Sequence, residues 1–130
     1  MSKSTLNNVT PADIAQLERA LELGVQQTES PLERVMMLFG DKYSLMILDA
    51  LHQNGAMRFV ALEADIKGIS PRTLSQRLKH LERHGLVRRT QFASIPPRVD
   101  YELTEKSKAV GPLLEDMKTW ADIWFPHCPA

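Results

Sequence analysis

The stretch from Ser70 to Leu103 restricts the possible folds more than any other part of the chain. Ser70-Pro71 reads as a helix start, with a hydroxyl cap and proline at the first helical position. Leu74, Leu78 and Leu81 then recur at four- and three-residue steps, so one face of that helix must pack inward. The spacing predicts a helix to His84, ended by Gly85. Leu86 to Phe92 and Val99 to Leu103 are strand-like, rich in β-branched and aromatic residues. Between them Ala93 to Arg98 contains two prolines, which excludes a central strand and predicts the tip of a long hairpin. Val60 to Ile66 reads as a short helix stopped at Lys67-Gly68. The order is helix, tight glycine turn, helix, hairpin.

The flanks read as helices. Thr10-Pro11-Ala12-Asp13 opens one that carries Ile14, Leu17, Leu21 and Val25 as a narrow apolar stripe and fades near Gln27. Ser30-Pro31-Leu32-Glu33 is a capping box, followed by Leu32, Val35, Met36 and Phe39 on one face, with Gly40 as the stop. A third helix, about Asp41 to Gln53, is apolar nearly all round and should lie centrally in the core. Met57-Arg58-Phe59 suits a short strand. A last helix runs from Thr104-Glu105 to about Phe125, with Val110, Leu113, Leu114, Met117, Trp120 and Trp124 in register. Gly111-Pro112 should bend it or weaken its first turns. This pattern predicts a mainly α chain with a small β-hairpin: a helix-turn-helix followed by a wing. The expected organisation is an N-terminal extension over 1–29, a core over 30–104 and a C-terminal helix and tail over 105–130. With 130 residues, 43% of them hydrophobic, one domain is expected.

The net charge of zero conceals an asymmetry. Lys67 to Arg98 holds eight basic residues against the single acid Glu82, a charge of +7, and the rest of the chain balances it with −7. A focused basic segment on a neutral chain suits a polyanion partner, although a solvated face with scattered charges has the same composition. On the helix from Ser70, residues Arg72, Thr73, Gln76, Lys79, His80 and Arg83 point away from the leucines, with Arg77 on the flank. Gln and Arg bond bidentately to adenine and guanine edges in a major groove. Ser70 and the helix N-terminus suit a phosphate. The early residues are therefore expected to read bases, and Lys79 and Arg83 to meet backbone. Arg88, Arg89 and Arg98 on the hairpin can follow phosphates, and an arginine at the wing tip can enter the minor groove.

Several strings together resemble the HxlR-type winged-helix transcriptional regulators. They are Ser30-Pro31-Leu32-Glu33-Arg34-Val35, Gly40-Asp41-Lys42-Tyr43, Ile69 to Leu78, Leu81 to Val87, Ile95-Pro96-Pro97-Arg98-Val99-Asp100-Tyr101 and Leu103-Thr104-Glu105-Lys106. The resemblance covers about Ser30 to Trp120. It implies a homodimer, formed by the N- and C-terminal helices, that binds double-stranded DNA and regulates neighbouring genes. It also implies DNA contacts at Ser70, Arg72, Thr73, Gln76 and Arg77, with the wing at Pro97 and Arg98. The expected dimer residues are Ile14, Leu17, Leu21, Val25, Leu113, Leu114, Met117, Trp120 and Trp124.

Two departures stand out. Redox-sensing members carry a cysteine just before the proline that opens the first family helix, where this chain has Ser30, which forms neither a disulfide nor a sulfenic acid. The helix from Pro11 is extra, and suits either a larger dimer interface or a cover for a ligand pocket. The only cysteine, Cys128, lies three residues from the C-terminus beside His127, a weak setting for a sensor thiol. His80 and His84 are four apart on one helix, as metal ligands can be, but a phosphate contact or a helix-end charge fits the context better. Met117, Trp120 and Trp124, with Met36, Met37 and Met46, suit an interface better than an effector pocket. No catalytic constellation is readable, so no enzyme activity and no cofactor is expected. No apolar run reaches the roughly 20 residues of a membrane span, and Met1 to Asn8 lacks a secretory stretch, so a cytoplasmic place is expected. The alternatives are a winged helix that docks on acidic protein surfaces, and a sensor with an unidentified small-molecule effector between the subunits.

Overall fold

The computed structural model describes residues 10–22 and 30–127, with the backbone alone for 20–22. Among the described residues seven helices and three strands follow in order: α1 (Pro11–Glu22), α2 (Pro31–Phe39), α3 (Ser44–Asn54), β1 (Met57–Arg58), α4 (Phe59–Asp65), α5 (Pro71–Arg83), β2 (Val87–Phe92), β3 (Arg98–Leu103), α6 (Glu105–Lys108) and α7 (Val110–Trp124). The expected continuation of the first helix to Gln27, with Val25, lies outside the described residues, as does Cys128. So does the side chain of Leu21.

Several helices start where the sequence supplies a cap. Thr10 accepts the Asp13 N–H at 3.1 Å, and its own N–H donates to the Asp13 carboxylate at 3.1 Å. Ser30 and Glu33 close the expected capping box on α2. Asp41 does the same for α3 by accepting the N–H groups of Tyr43 and Ser44, both at 2.9 Å. That helix begins three residues later than expected, because Asp41 serves as its cap instead of its first turn.

The core is built around α3. Ile47, Leu48, Ala50 and Leu51 are buried in it, packed with Leu62 and Ile66 from the α4 region and with Leu74, Leu78 and Leu81 from α5. Met46 of α3 nevertheless reaches the surface. The sheet order is β1-β3-β2, all antiparallel, so the hairpin gains a third strand through Met57↔Tyr101 and Arg58↔Asp100. Val87 and Leu103 pair at the base of the hairpin and point into the core.

α5 ends in a Schellman motif. Leu86 N–H reaches back to the Leu81 carbonyl at 2.8 Å and Gly85 N–H to Glu82 at 3.0 Å. Gly85 sits at φ +71°, a left-handed conformation that side chains disfavour. Thr104 and Ser107 then fasten α6 onto this turn: the Thr104 hydroxyl donates to the Gly85 carbonyl at 2.7 Å, and the buried Ser107 hydroxyl donates to that of Leu86.

Two expectations need correction. The last helix is two helices, α6 and α7, which meet at Ala109. Pro112 has no N–H to give the Lys108 carbonyl, so the first turn cannot run through. Gly111 is buried there, and a Cβ on it would meet the His52 ring at 2.4 Å. Leu114 was expected at the dimer face but lies in the core of the single chain, 7% exposed, where α7 crosses α3.

Candidate nucleic-acid interface

α5 offers its outer face to solvent because its leucine face is fully used. Leu74, Leu78 and Leu81 are at most 2% exposed. At 100° per residue the opposite direction falls on Arg72, Gln76, Lys79 and Arg83, and all four are exposed. From Arg72 to Arg83 this stripe rises about 16 Å along the helix at 1.5 Å per residue. Among the described residues none of its three cations has an ion pair.

The N-terminal end is narrower than the sequence suggested. Ser70 accepts the Thr73 N–H at 3.1 Å and donates its hydroxyl proton to Thr73 Oγ1 at 2.9 Å. Pro71 has no N–H. An arriving anion therefore meets the Arg72 N–H and the Thr73 hydroxyl proton, while the Ser70 hydroxyl is already engaged.

Two residues of the expected reading face are turned aside. His80 is half-buried, and its Nε2 donates to the Leu38 carbonyl at 3.0 Å, since a carbonyl can only accept. Its ring also meets that of His84 edge-on at 4.9 Å. Burial, then the neighbouring His80, Arg83 and Lys106, hold the His84 ring below its ordinary pKa. The Arg77 guanidinium lies 3.6 Å from the Asp41 carboxylate. Helix periodicity alone could not show this, because the partners come from the distant end of α2 and the α2–α3 connection.

The wing differs from its sequence reading in two ways. Side chains alternate across a strand, so Arg88 and Arg89 face opposite sides of the sheet and cannot follow one phosphate path together. Arg88 pairs with Glu102 directly across the ladder at 3.1 Å. Arg98, expected at the tip, belongs to β3. It stacks over the Phe92 ring at 4.2 Å and lies 3.5 Å from Asp100. Its Nε is buried with no hydrogen-bond partner among the described residues. The exposed tip is Ile95-Pro96-Pro97, with a cis bond between Ile95 and Pro96. Arg89 has no ion pair among the described residues and is exposed. Asp100 and Glu102 were missed because they lie just beyond the basic segment; the two-residue alternation of a hairpin would have placed them beside Arg98 and Arg88.

A different surface carries the apolar residues. Leu32, Val35, Met36 and Met37 of α2 are exposed, and so are Leu113, Met117, Trp120, Ile123 and Trp124 of α7. Ile14 and Leu17 of α1 are exposed as well. A groove of about 280 Å³ lies between α3 and α7, with Leu45, Met46, Leu114 and Met117 in its wall. Among the described residues there is no cluster of three potential metal ligands, and no helix is long and apolar enough to cross a membrane.

The model of the HxlR-like helix-turn-helix family matches residues 38–128. The chain belongs to this family. BH0655 of Halalkalibacterium halodurans, an HTH-type transcriptional regulator, is 36% identical over 92 residues, which cover 71% of this chain and 81% of that protein. The HTH-type regulator YvaP of Bacillus subtilis is 44% identical over 72 residues, 55% of this chain and 67% of its own length. Among solved structures, the reduced form of the transcriptional regulator YodB from Bacillus subtilis superposes with a TM-score of 0.66 at 32% identity, covering 78% of this chain and 100% of that one. This HxlR-type protein is thus a winged helix-turn-helix regulator that binds DNA and acts in transcription, as its residue strings suggested. Its named relatives are transcriptional regulators.

Proposed function

We propose that this regulator acts as a homodimer on a near-palindromic operator, with α5 in the major groove and the wing beside it. The observation that carries the reading is the outward stripe Arg72, Gln76, Lys79 and Arg83, whose cations have no ion pair among the described residues. Arg72 and Gln76 supply base-edge bonds, and Thr73 with the Arg72 N–H supplies the phosphate contact at the helix mouth. Lys79, Arg83 and Arg89 meet backbone. The apolar tip Ile95-Pro96-Pro97 lies along the minor groove, where apolar side chains are accommodated, while Arg98 stays on the wing. The dimer forms through the exposed apolar faces of α2 and α7, since large apolar side chains left in solvent on a helix face suit association with a second copy. The cytoplasm is its place of action.

Purified protein should select a small set of genomic fragments, with half-sites about 34 Å apart or a multiple of that. It should sediment as a dimer. Retention of all fragments alike would contradict the base-reading roles. A monomer that binds single half-sites with full affinity would contradict the symmetric arrangement.

A further inference from the structure

We propose that Asp41 is a positioning residue for DNA recognition: it holds the Arg77 guanidinium on the protein, out of the groove, in the DNA complex as in the free chain. The inference rests on the DNA-binding role of α5 and refines which of its cations take part.

The segment from Leu38, at the end of α2, to Tyr43 touches the recognition unit at three points. The Leu38 carbonyl accepts from His80, Asp41 pairs with Arg77, and the Tyr43 hydroxyl donates to the Gly68 carbonyl at 3.2 Å, just ahead of α5. Arg77 and His80 lie on one flank of the helix, about 60° apart at 100° per residue. The helix is thereby gripped along that flank and at its entrance.

Asp41 is not a mobile surface acid. One carboxylate oxygen accepts two N–H groups at the start of α3, and the other accepts the Ser44 hydroxyl. Burial alone would raise its pKa, but the Ser44 hydroxyl, the two backbone donors and Arg77 outweigh that and hold it below the ordinary carboxylate value. The side chains of Arg77 and Asp41 are 30% and 26% exposed, so salt screens the pair less than one fully in water. A fixed anion facing a half-buried guanidinium keeps the cation in one place.

The consequence for recognition is specific. A free arginine on the helix flank would add a phosphate contact that is blind to sequence, with one more counterion released on every DNA. Holding Arg77 back leaves discrimination to Arg72 and Gln76.

The test is the slope of log binding constant against log salt. It is measured on a selected genomic fragment and on scrambled DNA of equal length, for the wild type, Asp41→Asn, Arg77→Met and the double variant. Asp41→Asn keeps a carbonyl oxygen for the α3 start but removes the charge. It should tighten binding to scrambled DNA severalfold and steepen the slope by about one. Adding Arg77→Met should abolish that gain. Arg77→Met alone should leave the wild-type slope unchanged. A slope shallower by about one in Arg77→Met would place Arg77 on a phosphate and overturn the proposal. So would an Asp41→Asn variant with wild-type slope and selectivity. If Asp41→Asn does not fold, as read by thermal melting, the Arg77→Met slope decides by itself. A wild type that binds no DNA would overturn the DNA-binding role and this inference together, whereas altered slopes in a binding protein bear on Asp41 alone.

Discussion

Arg72, Lys79 and Arg83 on α5 stand in solvent with no ion pair among the described residues, whereas Arg88 and Arg98 on the wing each face a carboxylate. The two regions carry similar basic side chains, yet their chemistry toward a polyanion differs. A cation already paired must exchange its partner before it releases a counterion from DNA, so its net contribution is smaller. Because exposed pairs are worth only about 0–1 kcal/mol, such pairing should weaken the proposed DNA contacts of the wing without disabling them. Positive charge near a groove is therefore not the same as charge available to it.

Helix and wing rest on one support. Leu78 underlies α5 and lies in the same core as Val87 at the wing base. Leu78→Ala should lower folding stability by about 2–5 kcal/mol and disable helix and wing together. Urea unfolding measures this, and a variant that loses selectivity with an unchanged midpoint would show that the two regions do not share a core.

Arg72→Ala or Gln76→Ala should cost roughly 1–3 kcal/mol on a selected fragment and much less on scrambled DNA. Competition binding reads the difference. Equal losses on both DNAs would make these residues backbone contacts.

On the wing, Arg89→Ala should lower the salt slope by about one on every sequence, and Arg88→Ala by less, because Glu102 already faces Arg88. Glu102→Gln should then bring the effect of removing Arg88 up to that of Arg89. Equal slopes for the two arginine variants in the native background would mean that the cross-strand pair does not hold Arg88 back.

The smallest effect concerns the join between the two regions. The His84 ring is held below its ordinary value of 6.5, so the folded chain binds that proton less readily than the unfolded chain does. Stability should therefore fall as pH drops through 6.5 toward the lowered folded value, and recover above it. In His84→Gln this part of the pH dependence should be missing from the urea midpoint. An identical curve in the variant would assign it to another group.

Most of the architecture was legible because it rests on local rules. Caps at Thr10, Ser30 and Ser70, glycine at position 85 and the Leu74, Leu78 and Leu81 face each follow from short-range geometry. The outward placement of Arg72, Gln76, Lys79 and Arg83 follows from the same helix period. What was not legible involves partners distant in sequence. His80 faces outward by periodicity until α2 brings the Leu38 carbonyl to it, and Arg77 meets Asp41 across 36 positions. Leu114 belongs to the same helical stripe as Met117 and Trp120, and only the crossing of α3 separates core from surface. The break at Ala109 was half visible in Gly111-Pro112; its position depends on the missing Pro112 donor and on the fastening of α6 to the α5–β2 turn by Thr104 and Ser107.

In the reading proposed above, the outward stripe of α5 reads the base sequence. The most direct measurement is the affinity of the Arg72→Ala, Gln76→Ala double variant for a fragment selected by the wild type, against scrambled DNA at the same salt. The two affinities should converge while the salt slope on scrambled DNA stays steep through Lys79, Arg83 and Arg89. A folded double variant that still prefers the selected fragment by the wild-type margin would contradict that reading.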